Sequence, residues 1–259
     1  MCADLFIDII SRASLVPVSE GVDFLRMISD LAPELEPQSY GNYEPLRRKF
    51  DPQQAGAAAL ESWRWPFLWK RSKPSFEGGV WQDIGPQPEH AWITISGRKA
   101  GADEDHLISF LTAASVRFDA DFALVHMLTE KEILRLTENG TVMFLRAGAK
   151  EPHLSLTPKR LYRCIPDVYW GTVLGPAYLE HFGRDKVLSS PAPIVRKLGA
   201  NHVYIQLSQE LSDLQYRWDE VESVRQAVKL HLNQDSFFDP EKGFDYTYNV
   251  PEFRLASRM

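Results

Sequence analysis

The sequence has little cysteine and no long apolar run. Its two cysteines, Cys2 and Cys164, lie far apart in a chain of 259 residues, too few for the disulfide framework of a small secreted domain. No stretch approaches the roughly 18 apolar residues that a bilayer-spanning helix needs. The apolar run at the start of the chain contains Asp4 and Asp8 and follows no basic region, unlike a secretory signal peptide. These absences predict a cytoplasmic protein.

The short motifs that identify common enzyme sites are also missing. The phosphate-binding patterns GxxxxGK[ST] and GxGxxG, the serine elbow GxSxG and the zinc motif HExxH do not occur. The seven histidines are dispersed, and no cysteine pair has the spacing of metal ligands. His126 and His202 lie in apolar segments, where histidines are mostly structural, and Cys164 has no nucleophile signature around it. We therefore expect a protein that is not an enzyme and has no cofactor or metal.

The composition that remains is that of an ordinary globular protein with a small acidic excess. Hydrophobic residues make up 44% of the chain and charged residues 25%, with a formal net charge of -6. Folding a chain of this size removes about 70 to 75% of its accessible surface, which is ample for a core. The negative charge disfavours non-specific binding to nucleic acid and mildly favours a basic partner, although it also simply maintains solubility.

Strand and helix patterns interleave along the chain. Apolar alternation or buried runs predict strands at residues 5–10, 92–96, 122–127, 168–174 and 202–207. Helical periodicity predicts helices that start at Ser19, Asp103 and Thr129, and one over residues 216–232. Because no glycine-rich turn joins a strand to a helix, the pattern favours an α+β fold, with helices packed on a mixed or largely antiparallel sheet.

The segments between these elements are less regular. A strand is predicted over residues 40–50, a short helix over 53–62, a tryptophan-rich strand or loop over 63–69, a strand over 142–145 and an irregular tail beyond 234. Residues 74–88, rich in proline and glycine, have the least regular pattern. We predict a single domain over residues 1–259, and two lobes that meet near residues 74–90 remain an alternative.

Two groups of residues are candidates for contact with a partner. The first is acidic and lies at the starts of two predicted helices: Asp103, Glu104, Asp105, Asp219, Glu220 and Glu222. Compensation of the helix dipole already explains the first three. The second group is Trp63, Trp65 and Trp69, which alternation places on one strand face. Tryptophan is common at interface hot spots, but core packing is the favoured interpretation of this group.

The most distinctive segment is residues 167–191, DVYWGTVLGPAYLEHFGRDKVLSSP, in which aromatics, glycines and prolines are crowded together. Trp170, Gly171, Gly175 and Pro176 are predicted to shape a turn and a buried pocket, so their substitution should impair folding before function.

Together with YGNYEPLRRKFD at residues 40–51 and AWITISG at 91–97, this segment resembles the immunity protein 52 family of bacterial polymorphic toxin and type VI secretion systems. The resemblance implies a non-enzymatic inhibitor that binds one cognate toxin, a nuclease with a restriction-endonuclease-like domain. An acidic surface of such an inhibitor would mimic the phosphates that a nuclease binds.

Two other functions stay open from the sequence. One is an enzyme whose active site assembles from dispersed residues, for instance Asp83, Glu89 and His90 in the irregular central segment. The other is a non-catalytic adaptor within a secretion apparatus, which would bind a partner that is not toxic.

Overall fold

The structure is a computed structural model that describes residues 4–51, 57–61, 63, 66–82, 89–138, 154 and 156–255. Ten strands form one sheet in which every neighbouring pair is antiparallel, so the predicted α+β class is confirmed. The order across the sheet is β3-β2-β4-β5-β6-β1-β7-β8-β10-β9. The strands are β1 (Asp4–Ser11), β2 (Ser39–Gly41), β3 (Arg48–Lys49), β4 (Phe67–Ser72), β5 (Ser75–Gln82), β6 (Ala91–Arg98), β7 (Ala120–Leu128), β8 (Gly171–Leu174), β9 (Ile194–Leu198) and β10 (His202–Gln206).

The helices lie mainly between these strands and in the C-terminal third of the chain. They are α1 (Val18–Leu31), α2 (Ala57–Glu61), α3 (Glu104–Arg117), α4 (Glu130–Glu138), α5 (Pro158–Leu161), α6 (Pro176–Phe182), α7 (Arg184–Leu188), α8 (Asp213–Tyr216) and α9 (Trp218–Leu232). Among the described residues, no helix is both long enough and apolar enough to cross a bilayer.

The centre of the sheet is covered on both faces. All nine residues of β7 are buried, although a strand with one solvated face would alternate. On one face, α1 and α3 pack against the sheet, and the side chains of Phe24, Leu107 and Phe110 are buried between them. On the opposite face, the ring of Phe122 contacts those of Tyr169 and Tyr178. The core therefore extends through both faces of β1, β7 and β8.

Several sequence predictions need correction. Residues 75–82 are not irregular, because they form β5, which pairs with β4 and β6 along its length. Residues 40–50 form two short strands rather than one, and Ser19 lies inside the first turn of α1 instead of capping it. The strand predicted at residues 142–145 lies outside the described residues. The single-domain arrangement stays a prediction.

The two edge strands of the sheet are short or basic. At one edge, β3 contains only Arg48 and Lys49, both exposed. At the other edge, β9 presents Arg196 and Lys197, which are exposed as well. Beyond α9 the chain is mostly irregular, as predicted, and buries Phe237, Phe238 and Tyr248 against the body.

Candidate functional site

The start of α3 carries three of the acidic candidates. Asp103 caps the helix, because its Oδ1 accepts hydrogen bonds from backbone N–H groups of the first turn, that of Asp105 at 2.9 Å. Glu104 forms an ion pair with Lys99 at 2.8 Å and accepts a hydrogen bond from the backbone N–H of Leu211 at 2.9 Å. Asp103 and Asp105 are exposed and Glu104 is half-buried. Glu104 thus fastens a loop, while Asp105 presents its carboxylate to solvent.

The start of α9 carries the other three. Asp219 and Glu220 are exposed, and Glu220 forms an ion pair with Arg217. The hydrogen bond from Arg217 lowers the pKa of Glu220 below its usual value. Glu222 is half-buried, and its carboxylate pairs with the guanidinium of Arg225 at 2.5 Å. Glu222 therefore belongs to the interior of the protein more than to its surface.

These two helix starts lie at the same end of the sheet. Because β6 and β7 are both antiparallel to β1, each ends beside Asp4, and α3 and α4 begin just after them. The loop before α9 reaches this end, where Leu211 contacts Glu104 and the carbonyl oxygen of Leu214 accepts a hydrogen bond from Thr129 at 3.5 Å. We call the group Asp103, Glu104, Asp105, Asp219 and Glu220 the acidic end. Lys99 and Arg217 neutralise part of its charge.

The tryptophan candidates are core residues in the described part of their segment. The Trp63 indole is 5% exposed and donates a hydrogen bond to the carbonyl oxygen of Leu15 at 2.9 Å. Trp69 is fully buried, and its ring lies 5.3 Å from that of Phe24. Neither side chain is available on the surface, so the expectation that exposed members of this set touch a partner does not extend to them. Trp65 lies outside the described residues.

Trp170 and Gly171 fix the entry to β8. The buried indole of Trp170 donates a hydrogen bond to the hydroxyl of Ser208 at 2.9 Å, which satisfies its only polar atom. A side chain at Gly171 would begin 2.7 Å from the Val125 side chain, so β7 and β8 could not approach as they do. These contacts fix the local packing, and the effect of substitutions in this segment on folding stays a prediction.

Gly175 and Pro176 fix the exit from β8. A Cβ atom at Gly175 would lie 1.8 Å from the carbonyl oxygen of Ala120, so only glycine fits there. Pro176 occupies the first position of α6, where its missing N–H and fixed φ suit a helix start. The next backbone N–H, that of Ala177, donates to the Asp121 carboxylate at 3.0 Å.

A buried charge cluster, formed by His126, Glu132, Arg135, Asp167 and Arg225, lies beside this segment. Glu132 is fully buried and pairs with Arg225, with Arg135 at 3.0 Å and with His126 at 3.1 Å. Arg135 also reaches Asp167 at 2.6 Å. Sequence reasoning missed this cluster, because its members come from β7, α4, α9 and the loop before β8.

The charges of the cluster determine its protonation. Burial alone would raise the pKa of Glu132, but the cations Arg225 and Arg135 lower it well below its usual value. Burial lowers the pKa of His126. The Nδ1 atom of His126 accepts the backbone N–H of Trp170 at 3.3 Å, so the ring proton belongs on Nε2, where it is donated to Glu132. The cluster is thus satisfied internally and has a structural role.

A second polar chain surrounds His90, one of the residues proposed for an enzyme. The fully buried His90 ring contacts the carboxylate of Asp121 through Nε2 at 2.9 Å and the hydroxyl of Tyr162 through Nδ1 at 2.8 Å. Asp121 also pairs with Arg12 at 2.6 Å. The ring of Phe253 stands edge-on to His90 with the centroids 5.0 Å apart. Burial would raise the pKa of Asp121, but hydrogen bonds from His90 and then Arg12 lower it.

The structure does not test the full set proposed for catalysis. Asp83 lies outside the described residues, and Glu89 is half-buried. Cys164 is buried, and this burial raises the pKa of its thiol to about 12, which is the opposite of nucleophile activation. Within the described ranges, no three histidine, cysteine, aspartate or glutamate side chains are grouped as metal ligands.

The sequence matches no protein-family model, and no curated protein matches it either. Solved structures similar to the fold include a type VI secretion system (T6SS) protein of Pseudomonas aeruginosa. It aligns with a TM-score of 0.50 and 12% sequence identity, over 88% of this chain and 73% of the other. At this identity the similarity concerns the fold, and the fold is shared with a protein of a type VI secretion system.

Proposed function

We propose that this protein is an immunity protein, which binds a cognate bacterial toxin and neutralises it without catalysis. The observation that carries the proposal is the division of its polar side chains. The side chains of His90, His126 and Cys164 are buried and hydrogen-bonded or inert, whereas carboxylates of two helix starts are exposed together at the acidic end. Such a surface suits binding to a basic protein.

The context of the similar fold supports the same proposal. The aligned Pseudomonas aeruginosa structure is a T6SS protein, and the segment at residues 167–191 resembles an immunity family of such systems. If the toxin is a nuclease, its nucleic-acid groove is basic, and the acidic end would occupy it in place of phosphates. Inhibition then follows from blocking the groove, and the producing cell is protected in its cytoplasm.

The test begins with the genes that adjoin the gene of this protein and uses any product among them that is toxic when expressed in a sensitive host. The C-terminal domain of that product is expressed in a sensitive host with and without this protein, and the purified pair is titrated by calorimetry. Restored growth together with one-to-one binding at nanomolar Kd supports immunity. Binding to a partner that is not toxic indicates an adaptor instead. If the protein gives no rescue and does not bind, the proposal is rejected.

An enzymatic function is the second candidate, and the chain Tyr162–His90–Asp121 is the observation that favours it. A histidine held between a carboxylate and a hydroxyl resembles a proton relay. Tyr162→Phe removes the hydroxyl while keeping the ring. If the wild type converts a substrate and this variant does not, with unchanged thermal unfolding, an enzymatic function is favoured. If the variant still neutralises the toxin, the immunity function is favoured.

A further inference from the structure

A groove of about 440 Å³ crosses β4, β5 and β6 on the face opposite α1 and α3. Its floor is one cross-strand row, in which Gly79 pairs with Leu68 on one side and Thr94 on the other. Leu68 and Thr94 are half-buried, whereas the next residue of this row, Asp8 of β1, is 2% exposed. Along this row the side chains are therefore half-buried in β4 and β6 and buried in β1.

Trp81 lines this groove, and Trp92 stacks beside it to complete an aromatic platform. Trp81 and Trp92 are cross-strand partners, and their rings stack with centroids 6.2 Å apart and planes 13° apart. A Cβ atom at Gly79 would lie 2.5 Å from Nε1 of Trp81, so the indole lies over bare backbone that only glycine provides. Trp81 and Trp92 are both half-buried.

The row beyond the floor gives the groove an acidic rim. Lys70 and Glu77 are cross-strand partners, and Lys70 contacts Glu77 at 3.6 Å and Glu44 at 2.8 Å. One ammonium group thus faces two carboxylates, each about half exposed. A ligand with a positive charge would balance the rim.

The buried carboxyl group of Asp8 lies behind the floor of the groove. Asp8 pairs in register with Thr94, and its Oδ2 atom has no hydrogen-bond partner in the part of the chain that the structure describes. A buried oxygen without a donor is uncommon and destabilising. Burial favours the protonated form of this carboxyl group, so Asp8 adds no fixed charge to the groove, and the negative charge of the rim comes from Glu44 and Glu77.

We propose that this groove binds an arginine side chain of the partner protein, which lies against the tryptophan platform and pairs with Glu77. A planar guanidinium stacks on indole rings and donates hydrogen bonds to carboxylates, so one side chain satisfies both features. The identity of the partner as a toxin rests on the proposed function. The groove lies on the sheet face and thus provides a contact apart from the acidic end.

The test first measures the groove without any toxin. The folded protein, labelled with ¹⁵N, is titrated with N-acetyl-arginine amide, and the indole N–H signals of Trp81 and Trp92 are followed by NMR. N-acetyl-citrulline amide, which has the same shape without the charge, is the control ligand. Saturable shifts with the arginine compound alone are expected. No shift, or equal shifts with both compounds, would overturn the proposal.

Variants show whether the change in NMR chemical shift arises from binding in the groove. Glu77→Gln should raise the Kd of the arginine compound about two- to fivefold, the range of an exposed ion pair. Trp81→Phe should retain binding and Trp81→Ala should abolish it, with thermal unfolding as the check on folding. Glu252→Gln, an exposed change in the C-terminal segment, should leave the Kd unchanged. Equal Kd values for Glu77→Gln and the wild type would contradict the assignment.

The toxin experiment is then separate. If the wild type neutralises a toxin and Glu77→Gln and Trp81→Ala do so equally well, the groove is not part of that interface although immunity stands. If the arginine compound binds in the groove but no toxin is neutralised, the proposal of an arginine-binding groove is supported and the proposed immunity function is rejected.

Discussion

Arg225 and Glu132 form an ion pair in which the side chains are 1% and 0% exposed. Removing one partner of such a pair leaves the other charge buried without compensation. We expect Glu132→Gln to lower the free energy of unfolding by about 3 to 5 kcal/mol, measured by urea denaturation. Glu130→Gln, at an exposed position of the same helix, should change it by about 0.5 kcal/mol or less. Equal free energies of unfolding for the two variants would show that the Arg225–Glu132 pair does not stabilise the folded protein.

Asp8 should make the protein less stable as the pH rises. Burial raises the pKa of this carboxyl group to about 7, against a usual value near 4. Between these values the unfolded chain has lost the proton that the folded protein keeps, so stability falls with rising pH by about 1.4 kcal/mol per unit from this group. Asp8→Asn should therefore lose less stability than the wild type between pH 5 and pH 7. Parallel urea-denaturation curves across that range would contradict the assignment.

Two glycines of the segment at residues 167–191 should differ in their tolerance of alanine. Gly175→Ala places a Cβ atom against the backbone of Ala120 and should cost about 3 kcal/mol or more, because a backbone oxygen cannot move aside. Gly183 has open space around it but a φ of 86° and a ψ of 125°, which residues with a side chain rarely adopt, so Gly183→Ala should cost about 1 to 3 kcal/mol of backbone strain. Thermal unfolding of both variants measures the difference, and a reversed order would refute the packing argument.

The thiol of Cys164 should react slowly in the native protein. Its burial and a pKa of about 12 leave almost no thiolate at pH 8. In a Cys2→Ser variant, where Cys164 is the only thiol, iodoacetamide should modify the protein only under denaturing conditions. Rapid native labelling, followed by mass spectrometry, would show that the thiol is accessible.

Charge reversal at the acidic end should weaken toxin binding mainly through the association rate. Asp105→Lys and Asp219→Lys each change an exposed charge without breaking an ion pair among the described residues. We expect slower association at low salt, and the difference from the wild type should shrink as salt screens the charges. Glu241→Lys, exposed in the C-terminal segment, is the matched control. Unchanged association for both reversals, measured by surface plasmon resonance, would exclude the acidic end from the interface.

Local patterns of the sequence predicted much of the fold but not its pairing. The periodicity of residues 5–10 and 122–127 indicated the two strands at the centre, and the Asp103 cap indicated the start of α3. By contrast, the sequence did not predict β5, because Gly78 and Gly79 are typical of a loop. Their lack of side chains makes room for the rings of Trp69 and Trp81, a reason that only tertiary contacts reveal.

The candidate site was less predictable for the same reason. The acidic residues of α3 and α9 are visible in the sequence, but tertiary contacts such as those of Leu211 with Glu104 and of Thr129 with Leu214 bring the two helix starts to one end of the sheet. His90 contacts Asp121 and Tyr162, which come from distant segments of the chain. Their spacing from His90 follows no motif that the sequence could reveal.

The basic residues at the two edges of the sheet have a consequence for self-association. Among the described residues, β3 and β9 lie at the two margins of the sheet, the positions where a second copy could add its own strand and start a fibre. The exposed Lys49 at one margin, and the exposed Arg196 and Lys197 at the other, would face like charges whenever two margins met. Their repulsion opposes growth of the sheet from molecule to molecule, so we expect it to disfavour aggregation through the edges.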